Sequence, residues 1–66
     1  MTPIQFRNAL RRLDLTQQAT AKLLGLDERT ARRWALGERS VPSCTAIMLR
    51  LLVAGKITIA DVEAVR

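Results

Sequence analysis

The chain has 66 residues, enough for one small domain, and its 48% apolar content can supply a folded core. Its 11 basic residues outnumber its 6 acidic ones, and the net charge of +5 favours polyanionic partners such as nucleic acid. With no histidine and one cysteine, the chain lacks the pair needed for a Ser-His or Cys-His nucleophile and the usual ligands of zinc, so we expect no enzyme, no cofactor and no bound metal.

The first predicted helix begins after Thr2. A proline follows at the first helical position, where its missing N–H does no harm, and Gln5, three residues after Thr2, completes the pattern of a capping box. The apolar positions that recur at helical spacing predict one buried face, made of Phe6, Ala9, Leu10 and Leu13. We expect this helix to end near Asp14.

Two short helices with a glycine turn between them are predicted next. One covers about 17–24 after an N-cap at Thr16, and the other covers about 28–36 after an N-cap at Asp27. Gly25 stands where the chain needs the left-handed conformation that ends a helix, and a second glycine ends the later helix in the same way. The side chains expected to face the core from this segment are Ala21, Leu24, Leu26, Ala31 and Trp34.

The fourth predicted helix follows positions 41–42 and is apolar almost all the way round. Such a helix is either central to the core or partly covered by a second subunit. The fifth helix, at about 59–65, starts at Thr58, and Asp61 three residues later gives a second capping-box pattern. Its expected anchors are Ile59, Val62 and Val65. Together the elements predict an all-α fold, a compact bundle of about five short helices in a single domain over residues 1–66.

The sequence contains no pattern for membrane insertion or export. The apolar stretch at 46–54 is interrupted by Arg50 and is far too short to span a bilayer. The beginning of the chain lacks the charged start and apolar run of a signal peptide. Cys44 is the one cysteine, so an internal disulfide is impossible, which fits a reducing cytoplasm. We therefore predict a cytoplasmic protein with no membrane partner.

The segment around the glycine turn meets the demands of a helix pair that must dock on DNA. Ala21 is small enough for the two helices to pack closely, Gly25 makes the turn tight, and Trp34 helps to hold the second helix inward. The spacing of six positions resembles the helix-turn-helix of the lambda-repressor and Cro family: Gln17, Ala21, Gly25, Leu26, Ala31 and Trp34. The resemblance extends over residues 2–53 and implies a lambda-repressor-like fold with its helix-turn-helix at about 17–36.

Two positions depart from the pattern of that family. Ala31 stands where the family usually has valine or isoleucine, so we expect looser packing there. Thr20 stands where a larger apolar residue is common. Because the overall register is kept, we expect these departures to change the angles between the helices rather than the fold.

The resemblance implies a sequence-specific transcriptional regulator of the phage-repressor or Cro type, which binds a double-stranded DNA operator with the helix at 28–36 in the major groove. Arginine is the usual bidentate reader of guanine, so Arg29 and Arg33 are the first candidates for base contact. The full set of expected base contacts is Glu28, Arg29, Thr30 and Arg33. Phosphate contacts, which position a protein without reading sequence, are expected from Gln17, Gln18, Arg32 and Arg39.

The same residues also have plainer interpretations. The three arginines of the later helix can form an ordinary solvated face, and Gln17 and Gln18 can be simple surface residues. Glu28 can favour the positive end of its helix without touching a base. Trp34 is expected in the core rather than on DNA.

The resemblance also bears on partners. One recognition helix reads only a few base pairs, so we expect a homodimer on two half-sites about 34 Å apart. Two other functions stay open: a DNA-binding antitoxin of a toxin–antitoxin pair, which would also bind a toxin or other protein, and a helical protein-interaction module without DNA binding. The chain has little beyond the motif with which to bind a toxin. The basic character of the helix at 28–36 argues against a protein-interaction module that does not bind DNA.

Overall fold

The computed structural model describes all of residues 1–66, which form five α-helices and no strand. The helices are α1 (Pro3–Arg12), α2 (Gln17–Leu24), α3 (Glu28–Leu36), α4 (Ser43–Val53) and α5 (Ile59–Val65). Helix α3 packs against both α1 and α2, while α4 packs on α1 and α5 packs on α2. The predicted all-α bundle of five short helices is confirmed.

Side-chain caps fix where the helices begin. Gln5 donates its backbone N–H to Thr2 Oγ1 at 3.1 Å, and Thr2 donates its N–H to Gln5 Oε1 at 2.9 Å, which completes the predicted capping box of α1. Thr58 and Asp61 form the equivalent pair at α5, with distances of 3.1 and 2.8 Å. Each such cap contributes about 1 kcal/mol to stability. This contribution is substantial because helices this short are only marginally stable by themselves. Helix α1 ends at Arg12, two residues earlier than expected.

One hydrophobic core joins all five helices. Its central contact is an edge-to-face pair of Phe6 in α1 and Trp34 in α3, whose ring centroids are 5.8 Å apart at an interplanar angle of 83°. Aromatic pairs in this arrangement add stability beyond the area that they bury. Trp34 is therefore a core residue, as predicted. The other buried members of the cluster are Leu10, Ala21, Leu23, Ala31, Ala35, Val41, Ala46, Leu49, Leu52 and Val62.

Two predicted core positions are wrong, those of Leu26 and Val65. Leu24 is half-buried and packs against the core as predicted, although the buried leucine of α2 is Leu23, one turn from buried Thr20. Leu26 is 38% exposed because it sits in the turn rather than between the helices. Val65 is 84% exposed, so α5 is anchored chiefly by its one buried residue, Val62.

Helix α4 is buried on one side only. Ala46, Leu49 and Leu52 face the core, but Ile47 is 55% exposed and Leu51 is also exposed on the opposite face. The nearly uniform apolar character seen in the sequence therefore does not mean that the helix is enclosed. Neither α4 nor any other helix has the length and apolar character needed to cross a membrane.

Candidate nucleic-acid interface

The connection between α2 and α3 is set by its backbone. Gly25 adopts the left-handed conformation with φ at +70°, and the N–H of Leu26 donates to the carbonyl of Ala21 at 2.8 Å. This six-to-one hydrogen bond closes a Schellman motif, and the chain changes direction over the three residues between the helices. Asp27 then caps α3, because its Oδ1 accepts the N–H of Arg29 at 2.9 Å. The turn thus holds the amino end of α3 beside α2.

Small side chains let α2 and α3 lie close together. Ala21 and Ala31 are both fully enclosed, which places two alanines where the two helices pack. Thr20 is also fully buried, and its hydroxyl donates to the Thr16 carbonyl at 2.9 Å. No buried side-chain polar atom in the protein is left without a hydrogen-bond partner. Both positions that depart from the family pattern, Thr20 and Ala31, are therefore enclosed in the core.

An open cleft of about 510 Å³ lies where the amino ends of α2 and α3 meet. None of its lining residues is hydrophobic; they are Thr16, Gln17, Gln18, Glu28, Arg29 and Arg32. Five of the eight residues predicted to contact DNA are brought together here. The cleft combines two guanidinium groups, one carboxylate and the amino end of α2, where the first backbone N–H groups have no acceptor within the helix.

The exposed face of α3 is basic. Successive residues of a helix are rotated by about 100°, which places Glu28, Arg29, Arg32 and Arg33 within one arc of about 140°. All four are exposed, whereas the opposite side of α3 carries buried Ala31, Trp34 and Ala35. Three arginines against one glutamate give this face a net charge of +2. A face of this kind attracts a polyanion and offers it several hydrogen-bond donors.

Three predicted site residues lie outside the cleft. Arg33 is on the exposed face of α3 but further along the helix, and Thr30 is half-buried at the edge of that face. Arg39 lies in the turn after α3, where its backbone N–H and that of Glu38 both donate to the Arg33 carbonyl. The structure therefore places Arg33 and Arg39 near the same end of α3, away from Gln17 and Gln18.

Two residues of this surface were missed from the sequence. Thr16 lines the cleft as well as capping α2, and its position directly before Gln17 was a usable signal. Leu36 is 59% exposed and lies on the same arc as the arginines, seven residues after Arg29. The place of Leu36 on this face could also have been predicted from the sequence, because residues seven apart share one face of a helix.

The carboxyl ends of the two helices are held by arginines from elsewhere in the chain. The guanidinium of Arg7 in α1 donates to the carbonyl of Ala35 in the last turn of α3. The guanidinium of Arg66 donates to the carbonyl of Lys22 in the last turn of α2. A cation at a helix carboxyl end also complements the helix dipole. Arg7 and Arg66 therefore link α1 and the end of the chain to the carboxyl ends of α3 and α2.

No protein-family model, curated protein or solved structure matches this chain. No group of three or more His, Cys, Asp or Glu side chains comes together in a way that could hold a metal ion. The geometry and charge of the α2–α3 surface are therefore the features that point to a function.

Proposed function

We propose that the protein is a sequence-specific, double-stranded DNA-binding transcriptional regulator in which α2 and α3 act as a helix-turn-helix. The observation that carries the proposal is the polar cleft between the amino ends of α2 and α3, continuous with the arginine face of α3. In this arrangement α3 enters the major groove while the amino end of α2 meets the DNA backbone. The helix-turn-helix spacing of the sequence agrees with this assignment.

The cleft supports separate roles for its residues. Arg32 lines the cleft together with Gln17 and Gln18, so one phosphate can accept hydrogen bonds from the guanidinium and from the amino end of α2. Arg39, in the turn after α3, is proposed to contact a second phosphate. These contacts fix the position of the protein on the duplex and carry no sequence information themselves.

Base reading is assigned to the exposed face of α3. Arg29 and Arg33 lie one turn apart on this face and can each offer a bidentate pair of donors to a guanine. Glu28 can accept a hydrogen bond from a cytosine amino group, and half-buried Thr30 can contact a thymine methyl group or a phosphate at the edge of the groove. Each good bidentate contact supplies about 1–3 kcal/mol of discrimination between bases.

The proposal includes a homodimer in the cytoplasm. One α3 helix covers too few base pairs for a unique operator, so two copies are needed on adjacent half-sites. The cytoplasmic location rests on the single cysteine, which is exposed and free.

A fluorescence-anisotropy titration tests this function. The probe is the duplex upstream of the protein's own coding region, and the control is a shuffled duplex of equal composition, each at two salt concentrations. We expect tight binding to the native duplex, weak binding to the control, and affinity that falls as salt rises. Absence of binding to either duplex at low salt would contradict the proposal and favour the protein-interaction module.

A further inference from the structure

A second groove lies between α1 and α4, and it shares no residue with the polar cleft. Its volume is about 540 Å³. Exposed Arg12 and Arg50 line it together with the amides Gln5 and Asn8, and half-buried Val53 contributes apolar surface. The groove has no acidic residue, so it suits an occupant that carries both carboxylates and small apolar groups.

Helix α5 has these properties and is the only helix with a net negative charge. Asp61 and Glu63 give it −2, whereas the other four helices each carry more basic than acidic residues. Its outer face, opposite Val62, carries exposed Ala60 and Ala64 between the two carboxylates. Within its own chain α5 packs on α2 through Val62, so these carboxylates and the two alanines stay outside the core.

We infer that two copies of this chain associate by reciprocal docking, with α5 of each copy in the α1–α4 groove of the other. Ala60 and Ala64 then enter the groove, and the carboxylates of Asp61 and Glu63, on the two flanks of that face, meet Arg12 and Arg50. Such an interface is isologous, because the same two surfaces meet twice about a two-fold axis. Every contact is therefore made twice, which suits a small chain with limited surface.

This arrangement leaves the proposed DNA surface free. No residue of the α2–α3 cleft lines the groove, and α5 does not contribute to the cleft. The inference rests on the homodimer in the proposed function and names the surfaces that form it. Because DNA binding and self-association are measured separately, failure of one can be told from failure of the other.

A charge-exchange experiment tests the interface. One variant carries Arg12→Glu and Arg50→Glu, and the other carries Glu63→Lys; Asp61 is kept because its carboxylate caps α5. Sedimentation equilibrium should show that each variant alone dimerises at least about tenfold more weakly than the wild type, since loss of 1.4 kcal/mol changes an equilibrium constant tenfold. An equimolar mixture of the two variants should regain a dimer, because the opposite charges are then paired again across one groove.

The control is Arg11→Glu, which repeats the Arg12→Glu charge change at the neighbouring position of the last turn of α1 but lies outside the groove. We expect Arg11→Glu to dimerise as the wild type does, and circular dichroism to show that all variants stay helical. A wild type that remains monomeric at several hundred micromolar, or a mixture that associates no better than its components, would overturn the inference. If such a monomer bound DNA, the result would refute this dimer interface but would still support the proposed DNA-binding surface.

Discussion

The α2–α3 pair and the α4–α5 region are built in different ways. The pair is joined by a three-residue turn with a Schellman motif and an aspartate cap, and fully enclosed alanines bring its two helices close together. Helix α4 has no side-chain cap, and α5 has one buried residue, Val62. Ile47 and Val65 remain exposed in this second region. Fixed geometry and exposed charge thus occur together in α2–α3, where a rigid surface would be needed to read DNA.

The largest difference in the free energy of unfolding is expected between the variants Trp34→Ala and Val65→Ala. Trp34→Ala removes the ring that contacts Phe6 at the centre of the core and should lower the free energy of unfolding by about 3–5 kcal/mol. A domain of this size has a total stability of only about 3–10 kcal/mol, so the variant should be largely unfolded at 37 °C. Val65→Ala, in the other region, should change the free energy of unfolding by less than about 0.5 kcal/mol. Thermal denaturation followed by circular dichroism compares the two, and equal losses would contradict this packing.

The second prediction separates base reading from phosphate contact. Arg33→Ala should reduce the preference for the native duplex over the shuffled one by about 1–3 kcal/mol, because a bidentate base contact is lost. Arg39→Ala should weaken binding to both duplexes by a similar factor. It should also reduce the slope of log affinity against log salt concentration by about 1, which corresponds to the loss of one phosphate contact. Anisotropy titrations of both variants measure these effects. The assigned roles fail if the two substitutions reduce sequence preference equally.

The third prediction concerns the two glycines that end α2 and α3. Both have positive φ, so Gly25→Ala should cost about 1–2 kcal/mol through backbone strain alone, since no atom lies within 4 Å of the added Cβ. Gly37→Ala should cost more, because its Cβ would lie 3.1 Å from Cγ of Pro3. Chemical denaturation of the two variants provides the comparison. If Gly37→Ala were the more stable of the two variants, the Pro3 ring would have to move away from the added Cβ at little cost in free energy.

A smaller and more local loss is expected at the cap of α5. Thr58→Ala removes the hydroxyl that accepts the Asp61 N–H and should cost about 1 kcal/mol. Because α5 has a single buried anchor, the loss should appear mainly as faster amide hydrogen exchange in 59–65. Thr16→Ala at α2 is the matched substitution in the better-packed region. If exchange rises equally in both helices, α5 is not the weaker element.

Local signals explain why the helix bounds were predictable. The predicted ranges 17–24, 28–36 and 59–65 agree with the structure because caps such as Thr16 and Asp27, and the glycine at 25, act within a few residues of the chain. Burial was harder to predict because it depends on contacts between distant segments. The exposure of Leu26 and of the outer face of α4 follows from how the helices pack against one another, which no local pattern determines.

The candidate site was partly predictable for the same reason. Helical spacing placed Arg29, Arg32 and Arg33 on one face of α3, and a cap before Gln17 placed that residue at the start of α2. The meeting of these two helix ends in one cleft depends on the geometry of the turn and on close packing at Ala21.

The most direct test of the central claim is a two-dimensional amide NMR titration of the wild-type protein with its upstream duplex. If α2 and α3 form the DNA surface, shift changes should concentrate at residues 16–18, 28–33 and 39, with little change in the α1–α4 groove. The same titration with the shuffled duplex serves as the control. Shift changes centred on the α1–α4 groove or on α5, with α3 unaffected, would contradict the account.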